Sequence, residues 1–210
     1  MSFADRRAAG QRLGERLLGL REEETVVLAI PRGGVEVGAE VARALGAPLD
    51  VVIPRKVRAP QNPELAIGAV APGVRVLDER LLTILRVDPE YLDREIATEE
   101  AEIARRTEAY RQGRPPVSVA RKVAIVVDDG IATGSTAAAA VRWTRAQGAA
   151  RTILAVPVAP AEAVARLRAE VDEVVVLETP EPFYAVGQWY EEFPQLEDDE
   201  VVRLLAEATR

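Results

Sequence analysis

Short, almost uninterrupted apolar runs of strand length recur along this 210-residue chain and constrain its fold more than any other feature. A strand that is apolar on both sides must be covered on both sides, which is typical of parallel sheets between layers of helices. Segments with helical spacing separate the runs, so the sequence predicts an α/β fold with an open, doubly wound, mostly parallel sheet. The predicted strands are 25–30, 49–53, 123–127, 152–156 and 174–177.

Two segments depart from this alternation. A hairpin is predicted where the apolar segments 66–70 and 74–77 flank the turn sequence Ala71-Pro72-Gly73. A long charged helix is predicted over 89–111, with a narrow apolar stripe that favours packing on the core over contact with a partner. The stripe consists of Leu92, Ile96, Ile103 and Tyr110.

The segments are interpreted as one domain, 1–210, because no linker separates two apolar cores. The long helix and its flanks form a helical insertion at about 78–116. A small C-terminal hood is expected at about 178–196, ahead of a last helix.

The absence of cysteine and histidine narrows the possible chemistry. Thiolate nucleophiles, cysteine–zinc sites and the usual general base are excluded, which leaves carboxylates, amines, hydroxyls, backbone amides or a hard metal such as Mg²⁺. The net charge of −7 disfavours a nucleic-acid partner. No apolar run suits a membrane span and the N-terminal residues lack a signal-peptide pattern, so a cytoplasmic location without membrane contact is expected.

A polar turn after the strand 123–127 is the strongest candidate for a binding site. It reads Asp128-Asp129-Gly130-Ile131-Ala132-Thr133-Gly134-Ser135-Thr136 and leads into a helix. The first amides of a helix have no internal partners and favour phosphate. Two carboxylates would repel a bare phosphate. A phosphorylated sugar avoids this repulsion if its hydroxyls contact the acids and its phosphate binds to the rest of the turn. The alternative is a turn whose aspartates only cap the helix and face solvent.

The sequence VVDDGIATGST resembles the 5-phosphoribosyl-1-pyrophosphate (PRPP) motif of the type I phosphoribosyltransferases, which has two apolar residues, two acids, three variable residues and Thr-Gly-x-Thr. The resemblance implies that Asp128 and Asp129 bind the ribose hydroxyls. It implies that the 5′-phosphate is bound by Gly130, Ile131, Ala132, Thr133, Gly134, Ser135 and Thr136. Over about residues 3–208 the chain is most similar to predicted bacterial phosphoribosyltransferases whose acceptor is not assigned.

The sequence Pro31-Arg32-Gly33-Gly34 follows another predicted strand and resembles the pyrophosphate loop of the same family. Arg32 supplies a forked donor, and Gly33 and Gly34 allow unusual backbone angles. In that family the loop often holds a non-proline cis peptide, which is expected here at Arg32–Gly33 or next to it. The alternative is a simple tight turn.

The polar sequence 55–63 is predicted to be an exposed, mobile loop. It resembles the flexible lid of these transferases, which would close over pyrophosphate and neutralise it. Lys56 and Arg58 are the candidates for that contact, and the sequence does not choose between them. The alternative is a solvated cationic loop.

Aromatic residues are concentrated at 183–193, where a ring could stack on a flat base or simply pack locally. Phe183 and Tyr184 are the candidate base-binding residues, through a loose resemblance to hypoxanthine phosphoribosyltransferases. Hypoxanthine and xanthine–guanine enzymes carry an aspartate at the position of Ala132. This chain lacks that aspartate, in the same way as the adenine and uracil enzymes, so a 6-oxopurine acceptor is disfavoured.

The resemblance implies transfer of the 5-phosphoribosyl group from PRPP to a nitrogenous base, with release of pyrophosphate. Catalysis is assigned to Asp128, Asp129, Lys56 and Arg58. The expected cofactor is Mg²⁺, held through the substrate with Asp128 and Asp129 as candidate ligands. The expected partners are PRPP and a small-molecule acceptor such as a nucleobase, and a homodimer is common in the family. The alternative is a non-catalytic PRPP- or nucleotide-binding regulatory protein.

Overall fold

A computed structural model describes residues 2–208, which form two β-sheets with helices packed around them. The strands are β1 Thr25–Ala29, β2 Leu49–Val51, β3 Arg55–Ala59, β4 Asn62–Ala71, β5 Val74–Leu77, β6 Val123–Val127, β7 Arg151–Val158 and β8 Glu173–Glu178. The helices are α1 Arg6–Arg16, α2 Gly33–Leu45, α3 Glu79–Ile84, α4 Pro89–Arg111, α5 Ser135–Ala146, α6 Ala161–Leu167 and α7 Asp198–Glu207. Among these described residues, no helix combines the length and apolar character needed to cross a membrane.

The larger sheet has five parallel strands in the order β2-β1-β6-β7-β8. The chain leaves β1 through α2, adds β2 on one side, and later returns to add β6 on the other side of β1. The strand order therefore reverses between β1 and β6, and ligands of open α/β sheets bind at the carboxyl ends of such strands. The two turns singled out in the sequence, 31–34 and 128–136, follow these two strands.

Both faces of the parallel sheet are covered, which confirms the prediction of a doubly wound fold. On one face, Val27 and Ile125 belong to a buried cluster with α1, α2 and α7. On the other face, Val26 and Val126 pack with α5 and α6. Every residue of β6 is buried, and each buried Val or Ile side chain stabilises the fold by roughly 1.5–3 kcal/mol.

The prediction that 55–63 lacks regular secondary structure is wrong, although residues 60–63 are exposed as expected. Residues Arg55–Ala59 form β3, which pairs with β4 and belongs to the three-stranded antiparallel sheet β3-β4-β5. Val57 and Ala59 are buried, so this segment contributes to the core despite its polar appearance. The predicted hairpin over 66–77 is confirmed as β4 and β5, although β4 is longer than its apolar part.

The long helix α4 begins and ends at the predicted residues. Asp88 caps it by accepting a hydrogen bond from the Glu90 amide, and Gln112 ends it with a left-handed backbone at φ 48°. Ile96, Ile103 and Tyr110 are buried against the core, which confirms the expected role of the stripe. The short helix α3, which was not predicted separately, precedes it.

Glu99 on α4 anchors β3 to this helix. Its side chain is 4% exposed and accepts hydrogen bonds from Arg55 Nε and Arg58 Nη1, each at 2.6 Å. In a regular strand residues 55 and 58 would point to opposite sides, but β3 has an irregular register around Val57 and Arg58 that re-aims the second arginine. The Tyr91 hydroxyl also donates to the Arg58 carbonyl at 3.1 Å.

Replacing Glu99 by Gln is expected to lower the free energy of unfolding by about 2 kcal/mol, measured by urea denaturation. Loss of one partner from a fully buried ion pair costs roughly 3–5 kcal/mol, and the partial exposure of both arginines reduces that cost. The control is Glu100→Gln, because Glu100 pairs with Arg75 at 3.2 Å on the exposed side of the helix. We expect that control to change stability by less than about 0.5 kcal/mol; equal effects would contradict the anchoring role.

Candidate functional site

The turns after β1 and β6 touch each other at the reversal point of the sheet. A methyl group on Gly33 would overlap the Asp129 carboxylate and lie 2.7 Å from its Cγ atom. A methyl group on Gly34 would lie 2.9 Å from the Asp128 Cα atom. Glycine is required at both positions because the first turn of α2 lies directly against the two acids. The cis peptide bond expected at or beside Arg32–Gly33 lies between Pro31 and Arg32.

Asp128 and Asp129 form an adjacent, half-buried pair of carboxyl groups. Asp128 Oδ1 accepts a hydrogen bond from the Asp129 amide at 2.9 Å. Burial raises the pKa of Asp128 well above its usual value and the neighbouring Asp129 charge raises it further, while the Asp129 amide, Arg6 and Lys56 act in the opposite direction. Burial also raises the pKa of Asp129, where the Arg6 guanidinium opposes the shift.

Arg6 of α1 is the cation nearest to these acids. Its Nε atom donates to Asp129 Oδ2 at 2.8 Å, and its Nη1 atom donates to the Pro194 carbonyl at 2.6 Å. The guanidinium carbon lies 3.7 Å from the centre of the Phe193 ring. The Tyr190 hydroxyl donates to the Asp129 carbonyl, so both the side chain and the backbone of Asp129 are held.

The rest of the motif forms a tight entry into α5. Gly134 has a left-handed backbone at φ 81°, which favours glycine, and Ser135 is the first residue of the helix. Ala132 and Thr133 are exposed, Ser135 and Thr136 are half-buried, and the first amides of α5 have no partners within the helix. This arrangement can accept a phosphate group through backbone amides and hydroxyls.

Lys56 and Arg58, left undecided by the sequence, have different surroundings. Lys56 is exposed, and its charge opposes the burial-driven rise in the pKa of Asp128. Arg58 instead bonds to Glu99 of α4, and Glu95 of the same helix lies 4.0 Å away. The charge of Lys56 therefore acts on Asp128, whereas the Arg58 guanidinium is bonded to Glu99.

Arg32 lies at the N-terminal end of α2, beside the start of α7. Its Nη1 atom is 3.7 Å from Glu197 Oε2 and 3.9 Å from Asp198 Oδ1, both longer than a hydrogen bond. The Arg32 side chain is about a quarter exposed. A more highly charged anion could therefore compete for it with these two weak contacts.

The aromatic segment 183–193 lies beside the motif. A methyl group on Gly130 would lie 2.5 Å from Val186 Cγ1, which shows how closely the two segments pack. Phe183 stacks on Trp189 with ring centres 6.2 Å apart, whereas Tyr184 is 83% exposed. Of the two candidate base-binding rings, Tyr184 has the free face and Phe183 is partly occupied by local packing.

The sequence interpretation missed Arg6, Tyr190 and Arg166. A Gly134 methyl group would lie 3.5 Å from the Arg166 guanidinium, which places that cation beside the entry to α5. The sequence does contain a signal for Arg6, because this residue lies three positions before Ala9 and so on the apolar side of α1. The structure shows that Arg6 is only 5% exposed. A charged residue in a buried helical stripe requires a partner, but the sequence does not identify which one.

Comparison with known families and proteins agrees with this geometry. The family described as the phosphoribosyl transferase domain matches residues 3–188. Two Mycobacterium tuberculosis proteins, from strains CDC 1551 and H37Rv, carry the provisional name phosphoribosyl transferase and are each 47% identical over 209 residues. The alignment covers 99% of this chain and 47% of each relative, so the chain spans about half the length of these curated relatives.

Solved structures show the same fold. The protein TT1426 from Thermus thermophilus is 46% identical, with 99% of each chain covered and a TM-score of 0.84. A hypothetical protein from Neisseria gonorrhoeae, crystallised with ppGpp, is 16% identical with a TM-score of 0.52 over 100% of this chain and 96% of that one, and shows a common fold alone. The family match over most of the length and the two turns meeting at the strand-order reversal lead to one conclusion: this chain belongs to the phosphoribosyl transferase domain family.

Proposed function

We propose that this protein transfers the 5-phosphoribosyl group of PRPP to a ring nitrogen of a nitrogenous base and releases pyrophosphate. The observation that carries the proposal is the contact of Gly33 and Gly34 with Asp129 and Asp128. This contact joins a turn suited to pyrophosphate to a turn suited to a phosphorylated ribose. Its location at the reversal of strand order is where ligands of such sheets bind.

In the proposed reaction the bond from ribose C1 to the pyrophosphate oxygen breaks and a bond from C1 to the base nitrogen forms. The proton of an N–H acceptor is released. Positive charge would develop on the ribose, and the Asp128 and Asp129 carboxylates would bind the hydroxyls and stabilise that charge. The residues of the site would accelerate the reaction by positioning the two reactants and by stabilising charge. Neither contribution needs histidine or cysteine, which this chain lacks.

Magnesium fits this site only in partnership with the substrate. Residues 2–208 contain no cluster of three or more acidic side chains able to hold a metal. Asp128 and Asp129 provide the oxygen ligands that Mg²⁺ prefers, and substrate oxygens and water would complete its shell. When bound, Mg²⁺ would supply charge neutralisation for the pyrophosphate.

The cations around the site are assigned by their surroundings. Arg166 and the first amides of α5 would bind the 5′-phosphate, and Arg32 with the amides of Gly33 and Gly34 would bind the pyrophosphate. Lys56 would add to the pyrophosphate site, because it is exposed and its charge opposes the burial-driven rise in the pKa of Asp128, while Arg58 is bonded to Glu99. Tyr184 would stack on the acceptor base.

Replacing Lys56 by Gln is expected to weaken binding of magnesium pyrophosphate by about tenfold, measured by calorimetric titration. Loss of one charged contact to a phosphate costs roughly 1.5 kcal/mol. The chain offers a matched control in Lys122, its only other lysine. Lys122 precedes β6, so it lies at the amino-terminal ends of the strands, away from the proposed site. Lys122→Gln should bind pyrophosphate as the wild type does. If both variants lose affinity equally, the effect is one of net charge and the assignment of Lys56 fails.

Pyrophosphate release from PRPP, assayed with a panel of purine and pyrimidine bases, tests the transferase activity itself. Release that depends on one class of base supports the proposal and identifies the acceptor. Tight PRPP binding without release for any base would favour the regulatory alternative. Failure of the folded protein to bind PRPP would contradict both.

A further inference from the structure

Arg6 lies outside the PRPP motif, yet it is only 5% exposed and its guanidinium group is bonded on its edge. It lies on the buried side of α1, and its guanidinium group has partners in several directions. Asp129 and Pro194 accept from its edge, and Phe193 covers one of its faces. A guanidinium with these partners is poorly placed to bind a substrate phosphate directly, in contrast to Arg32 with its two weak contacts.

The contact with Asp129 concerns the orientation of that carboxylate. An ionised carboxylate can accept about four hydrogen bonds, so one donor from Arg6 leaves capacity for ribose hydroxyls. Its Oδ2 atom accepts from Arg6 Nε at 2.8 Å and packs against Gly33, where a methyl group would overlap it, so the group has little freedom to rotate. Its partner Asp128 is held by the Asp129 amide.

The contacts on the other side of Arg6 lead to the aromatic segment. The Phe193 ring, which stacks on the guanidinium, is 4.8 Å from the Tyr190 ring centre. It also packs on Gly187, where a methyl group would lie 2.8 Å from Phe193 Cδ1. Tyr190 in turn donates to the Asp129 carbonyl. A closed set of contacts therefore joins the ribose acid to the segment beside it.

We propose that Arg6 is a positioning residue that orients the Asp129 carboxylate toward the ribose of PRPP and links it to the segment 183–193. The inference rests on the proposed function, because the ribose is the ligand that Asp129 would bind. Arg6 acts through Asp129 and touches no reacting atom. Its removal should therefore affect ligands that contain the ribose more than those that do not.

The structure provides a comparison residue on the same helix. Arg12 also pairs with a carboxylate, Glu178 at 3.0 Å, and also lies over an aromatic ring, Phe3 at 4.9 Å. Neither of its partners belongs to the motif or to the 31–34 turn. Arg12→Met thus removes the same kinds of contact without touching the site.

The test is calorimetric titration of the full chain with magnesium PRPP and, separately, with magnesium pyrophosphate. We expect Arg6→Met to weaken PRPP binding by about 10- to 100-fold and to leave pyrophosphate binding within about twofold of the wild type. Arg6→Lys keeps the charge but cannot make both edge contacts, so its loss should be intermediate. Arg12→Met should bind both ligands normally.

The outcomes separate the inference from the function on which it rests. Unchanged PRPP affinity in folded Arg6→Met would overturn the positioning role and leave the proposed function intact. An equal loss for both ligands would also overturn it, since charge alone would then explain the effect. A wild type that binds neither ligand would contradict the proposed function itself. If Arg6→Met does not fold, the comparison of Arg6→Lys with Arg12→Met decides.

Discussion

Replacing both motif acids, Asp128→Asn together with Asp129→Asn, is expected to reduce PRPP affinity by at least about 100-fold in calorimetric titration with Mg²⁺. Each carboxylate would lose a charge-assisted hydrogen bond to a ribose hydroxyl, worth roughly 1.5–3 kcal/mol. The two losses together exceed about 3 kcal/mol, a factor of more than 100 in the dissociation constant.

This loss should occur without unfolding. Burial raises the folded-state pKa of both carboxyl groups, so the folded protein binds their protons more tightly than the unfolded chain does. A raised carboxyl pKa favours folding at low pH, and that contribution is lost as the pH rises through the folded-state value. Burial therefore makes the ionised form of each group unfavourable for folding, so a neutral replacement should not lower the thermal midpoint, apart from the loss of the Asp129 contact with Arg6.

A control with the same change in charge distinguishes the site from electrostatics at long range. Glu22 and Glu23 are adjacent, exposed acids that precede β1. They lie at the amino-terminal ends of the strands, whereas the motif lies at the carboxyl ends. Glu22→Gln with Glu23→Gln should bind PRPP as the wild type does. Normal binding by the aspartate variant would remove the central assignment and leave the 128–136 turn without a ligand.

The parts of the fold that were predicted are those set by local sequence. The strand β6 is apolar at every position and ends at two aspartates, and α4 has an aspartate cap, a proline at its first position and a polar face. These signals act over a few residues, so their positions could be predicted closely.

The segment β3 could not be predicted because its structure depends on distant residues. Its sequence is rich in cations and resembles a loop, and it becomes a strand by pairing with β4 and by contact with Glu99 of α4. Tertiary contacts override local propensity in such a case. The same reason explains the candidate site: the motif acids are visible in sequence, whereas Arg6 and Tyr190 reach them through the fold.

Gly33→Ala is expected to weaken PRPP binding by at least about 100-fold, a large effect for a single added methyl group. That group would overlap the Asp129 carboxylate and lie 2.8 Å from Arg6 Nε, so the acid, its arginine or the whole turn must move. A misplacement of about 1 Å in a site that positions reactants can cost about 100-fold in rate, and we expect a comparable loss of PRPP affinity because the same contacts would hold the ligand. The measurement is calorimetric titration with PRPP, accompanied by urea denaturation to confirm that the variant is folded.

The effect on stability should be far smaller than the effect on binding. Alanine restricts the unfolded chain and favours the helical first turn of α2, which offsets part of the roughly 1–3 kcal/mol cost of crowding. Gly19→Ala is the matched control, because a methyl group there meets no atom within 4 Å. Since the clash at Gly33 exists only if the 31–34 turn lies against the motif, a Gly33→Ala protein with full affinity would mean that the two turns do not form one site.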